Sequence, residues 1–167
     1  MIRNVFALFF VAVFAVVACR KDEDSLQKID QVIHLYIDSA GVDMLNKKIP
    51  GAYTQINLFD VYGTIDNAPV TFQDKKDADT IHYIEYIAGA KRRTLDSLDS
   101  NHKTLQSKIA LRKLNKKTDT TFFTQNDTLI LNYSYTPEAF ELREAFYNGN
   151  KVFTKVAGSP NMIKIHK

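Results

Sequence analysis

The side chains that most often do chemistry in proteins are few in this chain and are not clustered along it. No two of the histidines have the i, i+4 spacing of a helical metal site, and none has a carboxylate at a metal-ligand spacing; they are His34, His82, His102 and His166. Motifs for a nucleophile elbow, a phosphate-binding loop and a dinucleotide-binding turn are also absent from the sequence. We therefore assign no catalytic residue, no metal ligand and no cofactor, and we expect a protein that is not an enzyme.

The aspartates recur in a short pattern. Six triplets have Asp, then Ser or Thr, then an aliphatic residue or Thr: Asp24-Ser25-Leu26, Asp38-Ser39-Ala40, Asp79-Thr80-Ile81, Asp96-Ser97-Leu98, Asp119-Thr120-Thr121 and Asp127-Thr128-Leu129. The pattern resembles the O-glycosylation acceptor motif of Bacteroidota, which implies hexose-containing glycans on Ser39, Ser97 or Thr120. The same triplets are also typical of a turn that runs into a strand. Both interpretations stay open.

The N-terminus differs sharply from the rest of the chain. Val5 to Ala18 are fourteen consecutive apolar residues, preceded by Arg3 and followed by Cys19, the only cysteine. Fourteen residues of helix span about 21 Å, whereas a bilayer core of about 30 Å needs nearer twenty. A short apolar run behind a positive charge predicts a secretory signal helix over residues 1–18.

Cys19 ends a motif with its own chemistry. Val16, Val17, Ala18 and Cys19 resemble the lipobox of bacterial lipoproteins. The resemblance implies cleavage before Cys19, a thioether-linked diacylglycerol on its sulfur, and acylation of the new N-terminus, for example by palmitate. Several acyl chains anchor a protein firmly, since one chain alone binds a bilayer only marginally. The alternative is an ordinary signal peptide with an incidental cysteine.

Residues 19–27 form a charged tether. Within it, Lys21, Asp22 and Glu23 resemble the export signal that sends lipoproteins of Bacteroidota to the cell surface. The resemblance implies a protein anchored by lipid in the outer membrane and facing the outside of the cell. A tether that is merely solvated is the alternative interpretation.

Residues 28–167 have the composition of one folded domain. The chain of 167 residues is 45% hydrophobic and 25% charged, which excludes a fully disordered protein. Its formal net charge of +3 gives no reason to expect a nucleic-acid partner. We interpret the densest basic cluster, Lys91 to Arg93, as a solvated loop. The single cysteine excludes internal disulfides.

Apolar and polar residues mostly alternate with a period of two, which predicts half-buried strands. The alternating segments are Ile33–Ile37, Ile56–Val61, Ile81–Ile87, Leu105–Arg112, Leu129–Tyr135 and Met162–His166, together with a hairpin that turns at Asn148-Gly149. We predict an all-β protein, an antiparallel β-sandwich of seven to eight strands that is loosely immunoglobulin-like.

Two segments have sequence patterns that are compatible with a helix. Thr136-Pro137 places a capping residue before a proline and predicts at most one short helical turn near residues 136–141. The spacing of Ile29, Val32 and Ile33 also suits a helix, although we favour a strand entered from the tether.

The stretch from Ile37 to Asp60 resembles uncharacterised lipoproteins of Bacteroidota. The matching residues are Asp38, Gly41, Asp43, Leu45, Asn46, Pro50 and Gly51, whereas Met44 replaces the usual leucine. The resemblance implies a β-sandwich on the outer membrane and brings no established activity.

Two classes of function follow from these features. The first is a non-catalytic surface module that binds a glycan, a peptide or a partner protein, with Tyr53, Tyr62 and Tyr86 as candidate exposed aromatics. The second is a structural or accessory subunit of a surface assembly that uses an exposed edge strand. An aromatic cleft with convergent polar groups would favour the first class, and a long unprotected edge strand the second.

Overall fold

The computed structural model describes residues 26–87, 89–116 and 121–167. Regular secondary structure in these ranges consists of thirteen β-strands in two sheets, as predicted for a β-sandwich. The predicted signal helix and most of the tether lie outside the described residues. The strands are β1 (Lys28–Asp30), β2 (Val32–Ser39), β3 (Val42–Asp43), β4 (Gln55–Asp60), β5 (Ala68–Val70), β6 (Gln73–Lys76), β7 (His82–Ile87), β8 (Arg93–Ser97), β9 (Lys103–Lys116), β10 (Phe122–Tyr135), β11 (Ala139–Tyr147), β12 (Asn150–Thr154) and β13 (Asn161–His166).

The eight-stranded sheet is built around a long hairpin of β9 and β10, which pair along their whole length. β11 follows β10 and pairs on its other side with β1 and then with β12. On the far side of the hairpin, β9 pairs with β8 and β4, and β5 pairs with β4. The hairpin therefore organises most of this sheet.

The five-stranded sheet has the order β13-β2-β7-β6, with β3 paired to the end of β2. β13 runs parallel to β2, and β1 runs parallel to β11, whereas the other pairings are antiparallel. The predicted β-sandwich is confirmed, but the sequence predicted seven to eight antiparallel strands and did not indicate the two parallel pairings. Parallel pairing joins segments far apart in the chain, and local alternation carries no information about such partners.

The core lies between the sheets and is formed by the inward-facing member of each alternation. Successive side chains of a strand point to opposite faces. The buried residues of β2, β9, β10 and β13 include Ile33, Leu35, Ile37, Ile109, Leu111, Leu129, Leu131, Tyr133, Ile163 and Ile165. The predicted strand faces are thus confirmed for these segments, and the segment around Ile29 and Val32 is strand rather than helix.

The two predicted turns have different outcomes. Asn148 and Gly149 both have positive φ angles, 49° and 86°, and they connect β11 to β12, which confirms the predicted hairpin. The sequence predicted at most one short helical turn near residues 136–141, and this turn is not formed. Instead Thr136 makes a tight turn, in which its backbone N–H donates to the Ala139 carbonyl and its hydroxyl accepts from the Ala139 N–H, and β11 begins at Ala139.

The basic cluster at Lys91 to Arg93 is not wholly a solvated loop, as the sequence suggested. The Arg92 guanidinium lies over the Phe140 ring at 4.7 Å and donates to the Gln31 side chain at 2.8 Å, and Arg93 begins β8. Guanidinium groups pack well on aromatic faces, so one member of a charge run can cover the core.

Candidate functional site

An aromatic surface occupies the outer face of the five-stranded sheet. His34 and Tyr36 on β2 point outward because their neighbours Ile33 and Leu35 point into the core. Tyr83 on β7 lies beside them, with ring-centroid distances of 4.6 Å to His34 and 5.4 Å to Tyr36. We call His34, Tyr36 and Tyr83 the aromatic platform.

Charged side chains flank the aromatic platform. Lys75 Nζ lies 2.5 Å from Glu85 Oε1, and His34 Nε2 lies 3.5 Å from Glu85 Oε2. The hydrogen bond from Lys75 lowers the pKa of Glu85, so this carboxyl is ionised at neutral pH. The ionised carboxylate fixes one edge of the His34 ring and thereby orients the platform.

A groove of about 670 Å³ opens at the end of the platform. Its walls come from the end of β2, the loop before β7 and the outer face of β13. Tyr36 belongs both to the platform and to the groove, so the two features form one continuous surface. The polar side chains in its lining include Asp38, Asp77, Asp79, His82, Lys164 and His166, and Ile37, Ile81 and Met162 add apolar surface.

Two aspartates of the groove hold its walls in place. Asp43 Oδ1 accepts the Leu45 N–H at 2.9 Å, and its Oδ2 accepts the His82 N–H at 3.0 Å. Asp77 Oδ1 accepts backbone N–H groups of Asp79 and Ile81 at 3.0 and 2.9 Å. These bonds are typical of aspartate in turns. They join the loop after β6 to the strands beside it.

Other polar groups face the groove itself. His166 Nδ1 lies 2.5 Å from Asp38 Oδ2 at the mouth of the groove. Burial, together with the charges of Asp77 and Tyr83, raises the pKa of Tyr36. The phenol of Tyr36 therefore keeps its proton at neutral pH and can donate a hydrogen bond.

The four histidines, which are separate in the sequence, each lie beside one carboxylate in the structure. The nitrogen–oxygen distances are 3.5, 3.1, 2.9 and 2.5 Å for the pairs His34–Glu85, His82–Asp74, His102–Asp99 and His166–Asp38. Within the described ranges, no group of three or more His, Cys, Asp or Glu side chains is arranged to hold a metal ion.

A second polar cluster lies inside the sandwich and was missed by the sequence analysis. Lys113 is 0% exposed and Asp127 6% exposed, and Lys113 Nζ contacts Asp127 Oδ2. The Tyr147 hydroxyl accepts from Lys113 Nζ at 3.0 Å and donates to Asp127 Oδ2. A signal was available: Lys113 and Asp127 fall on the inward faces of the alternations Ile109, Leu111 and Leu129, Leu131.

Two further donors complete this buried cluster. Lys167 Nζ lies 2.8 Å from Asp127 Oδ2, and Asn148 Nδ2 donates to Asp127 Oδ1 at 2.9 Å. Burial, reinforced by the neighbouring Lys167, lowers the pKa of Lys113 to about 6. For Lys167 burial acts in the same direction, but its contacts with Lys113 and Tyr147 raise its pKa overall. The carboxylate is thus balanced by the Lys167 ammonium at neutral pH.

The exposed aromatics predicted from the sequence were the wrong ones. Tyr53 and Tyr86 are only 4% and 2% exposed and belong to the core. Tyr62 is half-buried: its hydroxyl donates to Gln106 at 2.7 Å and its ring lies under the Arg93 guanidinium. Tyr86 lies on β7, where both faces carry large side chains, so alternation alone does not say which face is inward. Tyr53 and Tyr62 lie in loops, for which strand alternation makes no prediction.

Most of the predicted modification and export residues lie outside the described residues. These are Val16, Val17, Ala18, Cys19, Lys21, Asp22, Glu23 and Thr120. Ser39 is half-buried at the end of β2. Ser97 is exposed at the end of β8, and its hydroxyl donates to the Asp99 carbonyl at 2.7 Å. Glycosylation of these residues stays a prediction.

Comparison of the chain with protein-family models, curated proteins and solved structures found no match. Within residues 26–87, 89–116 and 121–167, there is no helix of the length and apolar character needed to cross a bilayer.

Proposed function

We propose that this protein is a lipid-anchored protein of the outer cell surface whose β-sandwich is a non-catalytic binding module. The observation that supports this proposal best is the groove joined to the aromatic platform. Its volume of about 670 Å³ lies within the range of about 300–1,000 Å³ typical of small-ligand sites. Cys19 supplies the anchor, and the tether of residues 19–27 leads to β1.

The chemistry of the groove suits a glycan segment. Tyr36 and Tyr83 offer ring faces on which the C–H face of a sugar packs. Beside these rings, Asp38 and Asp79 supply acceptors for hydroxyl groups, and Lys164 supplies donors. A polyhydroxylated ligand satisfies such a mixed set of donors and acceptors better than an apolar ligand does.

The bonding of the carboxylates supports binding rather than catalysis. Asp43 and Asp77 already accept backbone N–H groups, which hold the walls of the groove. These bonds give the two side chains a structural role in the turns that form the walls. The groove is therefore best understood as a preformed surface for recognition.

A second candidate function is that of a subunit in a surface assembly, joined through an open strand edge. β11 pairs with β10 only from Leu129 to Tyr135, and the described part of the chain places no strand beside β10 from Phe122 to Asp127 on that side. The backbone N–H and C=O of Thr128 bond Asn148, on the side of β10 away from β9. Every second residue of a strand directs its backbone groups to the same side, so those of Asn126 and Thr124 also point away from β9. Phe122 and Phe123 are 54% and 61% exposed there. An extended partner segment can add to such an edge.

One pair of variants separates the two functions. We would measure glycan binding on an array, then by calorimetry, using the full lipidated chain in detergent. Tyr36→Ala should weaken glycan binding up to about tenfold, since aromatic stacking contributes about 0.5–1.5 kcal/mol. Thr124→Pro is the matched control and should leave glycan binding unchanged. The N–H of Thr124 points away from β9, so its removal breaks no hydrogen bond between β9 and β10.

The opposite pattern supports the second function. If a partner captured from native outer membranes is lost with Thr124→Pro and retained with Tyr36→Ala, the open edge is the functional surface. Absence of glycan binding by the unmodified chain, or binding that is indifferent to Tyr36→Ala, contradicts the groove as a glycan site.

A further inference from the structure

The buried cluster brings an amine and a carboxyl group together in the core. Lys113 on β9 is opposite Gln125, and Asp127 on β10 is opposite Leu111, so the two residues are diagonal neighbours on paired strands. Both side chains point to the inner face of the sheet, and Lys113 Nζ contacts Asp127 Oδ2. No movement of the backbone is needed to bring the two groups together.

The surroundings of this pair exclude water. Lys113 is fully buried, and its Nζ lies 5.2 Å from the centre of the Tyr53 ring and 5.7 Å from that of Tyr147. The buried charge of the Asp127 carboxylate is costly in such a setting. A neutral product of the same two groups would remove that cost, because an amide carries no net charge.

The hydrogen bonds around Asp127 distinguish its two carboxyl oxygens. Oδ2 receives donors from the Tyr147 hydroxyl and, at 2.8 Å, from the Lys167 ammonium. Within the described residues, Oδ1 accepts from the Asn148 side-chain amide at 2.9 Å. Oδ2 therefore has the donors it needs to leave as water. Oδ1 remains as the carbonyl oxygen of the amide, and Asn148 stabilises the negative charge that develops on it.

Tyr147 is positioned to relay a proton from the nitrogen to the departing oxygen. Its hydroxyl accepts from Lys113 Nζ at 3.0 Å and donates to Asp127 Oδ2. One hydroxyl can thus take a proton from the amine as it gives its own to the carboxyl, the double transfer that a condensation requires.

We propose that Lys113 Nζ and Asp127 Cγ condense to an intramolecular isopeptide bond that cross-links β9 and β10 inside the sandwich. The neutral amine of Lys113 attacks Cγ of the carboxyl group, whose Oδ2 takes a proton from the Lys167 ammonium 2.8 Å away, and the C–N bond forms. The nitrogen gives one proton to Tyr147, and Tyr147 gives one to Oδ2, which already carries a proton. The Cγ–Oδ2 bond breaks, and one water leaves. Lys167 regains its proton from solvent, so no oxidant or other co-reactant is needed.

Two physical factors favour this step. Burial and the neighbouring Lys167 lower the pKa of Lys113 to about 6, so a nucleophilic, unprotonated amine is present at neutral pH. Well-oriented intramolecular reactions reach effective concentrations of about 10⁵–10⁸ M, which offsets the unfavourable free energy of amide formation in water. The sequence has only Cys19 as a thiol, so this bond would supply the covalent cross-link that a disulfide supplies elsewhere.

Mass spectrometry of the full chain tests the proposal directly. After denaturation and digestion with trypsin, the proposed bond yields a branched peptide in which residues 113–116 are attached to residues 118–143, and it is lighter by one water than the sum of the two peptides. Trypsin also fails to cleave after Lys113, because its amine is acylated. Recovery of residues 118–143 as an unlinked peptide of full mass, from chain that is folded before digestion, would overturn the proposal.

Variants identify the atoms and the relay. Asp127→Asn should give the same branched peptide with loss of ammonia instead of water, whereas Asp127→Ala and Lys113→Arg should give none. Tyr147→Phe should slow formation of the bond at least tenfold in a time course after refolding. Its matched control is Tyr133→Phe, which removes another buried tyrosine hydroxyl of the same core and should leave the rate unchanged. A rate equal to that of the unmodified chain in Tyr147→Phe would exclude the relay.

Discussion

Polar residues that are removed from water in this sandwich find their partners in distant parts of the chain. Asp30 in β1 accepts from Lys155 at 2.6 Å and from Asn161 at 2.8 Å, and Asn161 also donates to the Val32 carbonyl. These bonds tie the first strand to the last one. Burial works against the charge of Asp30, but its hydrogen bonds to Lys155 and Asn161 lower its pKa overall.

This pKa shift predicts a dependence of stability on pH. A carboxyl whose pKa is lower in the folded state than in the unfolded state stabilises the fold above its unfolded pKa of about 3.9, and this stabilisation is lost as the pH falls through its folded pKa. Asp30→Asn should therefore cost about 1 kcal/mol at pH 7, an amount reduced by partial exposure, and nothing near pH 2. Urea unfolding across this pH range measures the difference.

The control for Asp30→Asn is Asp66→Asn in the exposed loop between β4 and β5. This variant should follow the unmodified chain at every pH. An equal loss of stability in both variants would mean that total charge, rather than the contacts of Asp30, determines the effect.

At the scale of elements, the turns determine where the strands of a hairpin begin and end. The β11–β12 hairpin turns through Asn148 and Gly149, both with positive φ, because this twist matches that of the flanking strands. Asn148 also donates its side-chain amide to Asp127, so the same turn shapes the hairpin and completes the buried cluster.

Gly149→Ala should lower the free energy of unfolding by about 1 kcal/mol. An added Cβ would meet nothing within 4 Å, so the cost arises only from the positive φ of 86°. Gly89→Ala is the matched control, since an added Cβ there makes an ordinary contact of 3.9 Å with Val70 and φ is not positive. Thermal or urea unfolding of both variants checks the prediction, and equal stabilities would contradict it.

At the scale of the whole molecule, the groove, the buried cluster and the proposed anchor lie in separate parts of the chain. The outer face of the five-stranded sheet carries the aromatic platform and the groove, whereas the buried cluster lies on the inner face of the eight-stranded sheet. β1 begins at Lys28, directly after the tether of residues 19–27. Failure of the anchor would therefore leave the folded domain and its groove intact.

Cys19→Ala should move the protein from the membrane fraction to the soluble fraction in a lipoprotein-exporting host. The physical reason is that acyl chains supply about 0.8 kcal/mol for each buried methylene, and the variant has no thiol to carry the diacylglycerol. Ser25→Ala in the same tether is the control and should stay with the membrane. A Cys19→Ala protein that still sediments with outer membranes after a salt wash would contradict the lipid anchor.

The sequence by itself determined the all-β class and the inward faces of the main strands, because alternation with a period of two is local and follows directly from strand geometry. It also located the Asn148-Gly149 turn, since positive φ angles are a property of those residue types. The lipid anchor and the export signal depend on sequence alone and stay predictions.

Only the tertiary structure decided which strands pair in parallel, where the aromatic platform lies, and how the buried cluster is assembled. His34, Tyr36 and Tyr83 meet because β2 pairs with β7, and Lys113, Asp127 and Lys167 meet because the C-terminus returns to the hairpin of β9 and β10. Such contacts depend on the registry of distant segments, which a strand's own alternation does not encode. The candidate site could therefore not be predicted from the sequence, although His34, Tyr36 and Tyr83 had been placed on strands.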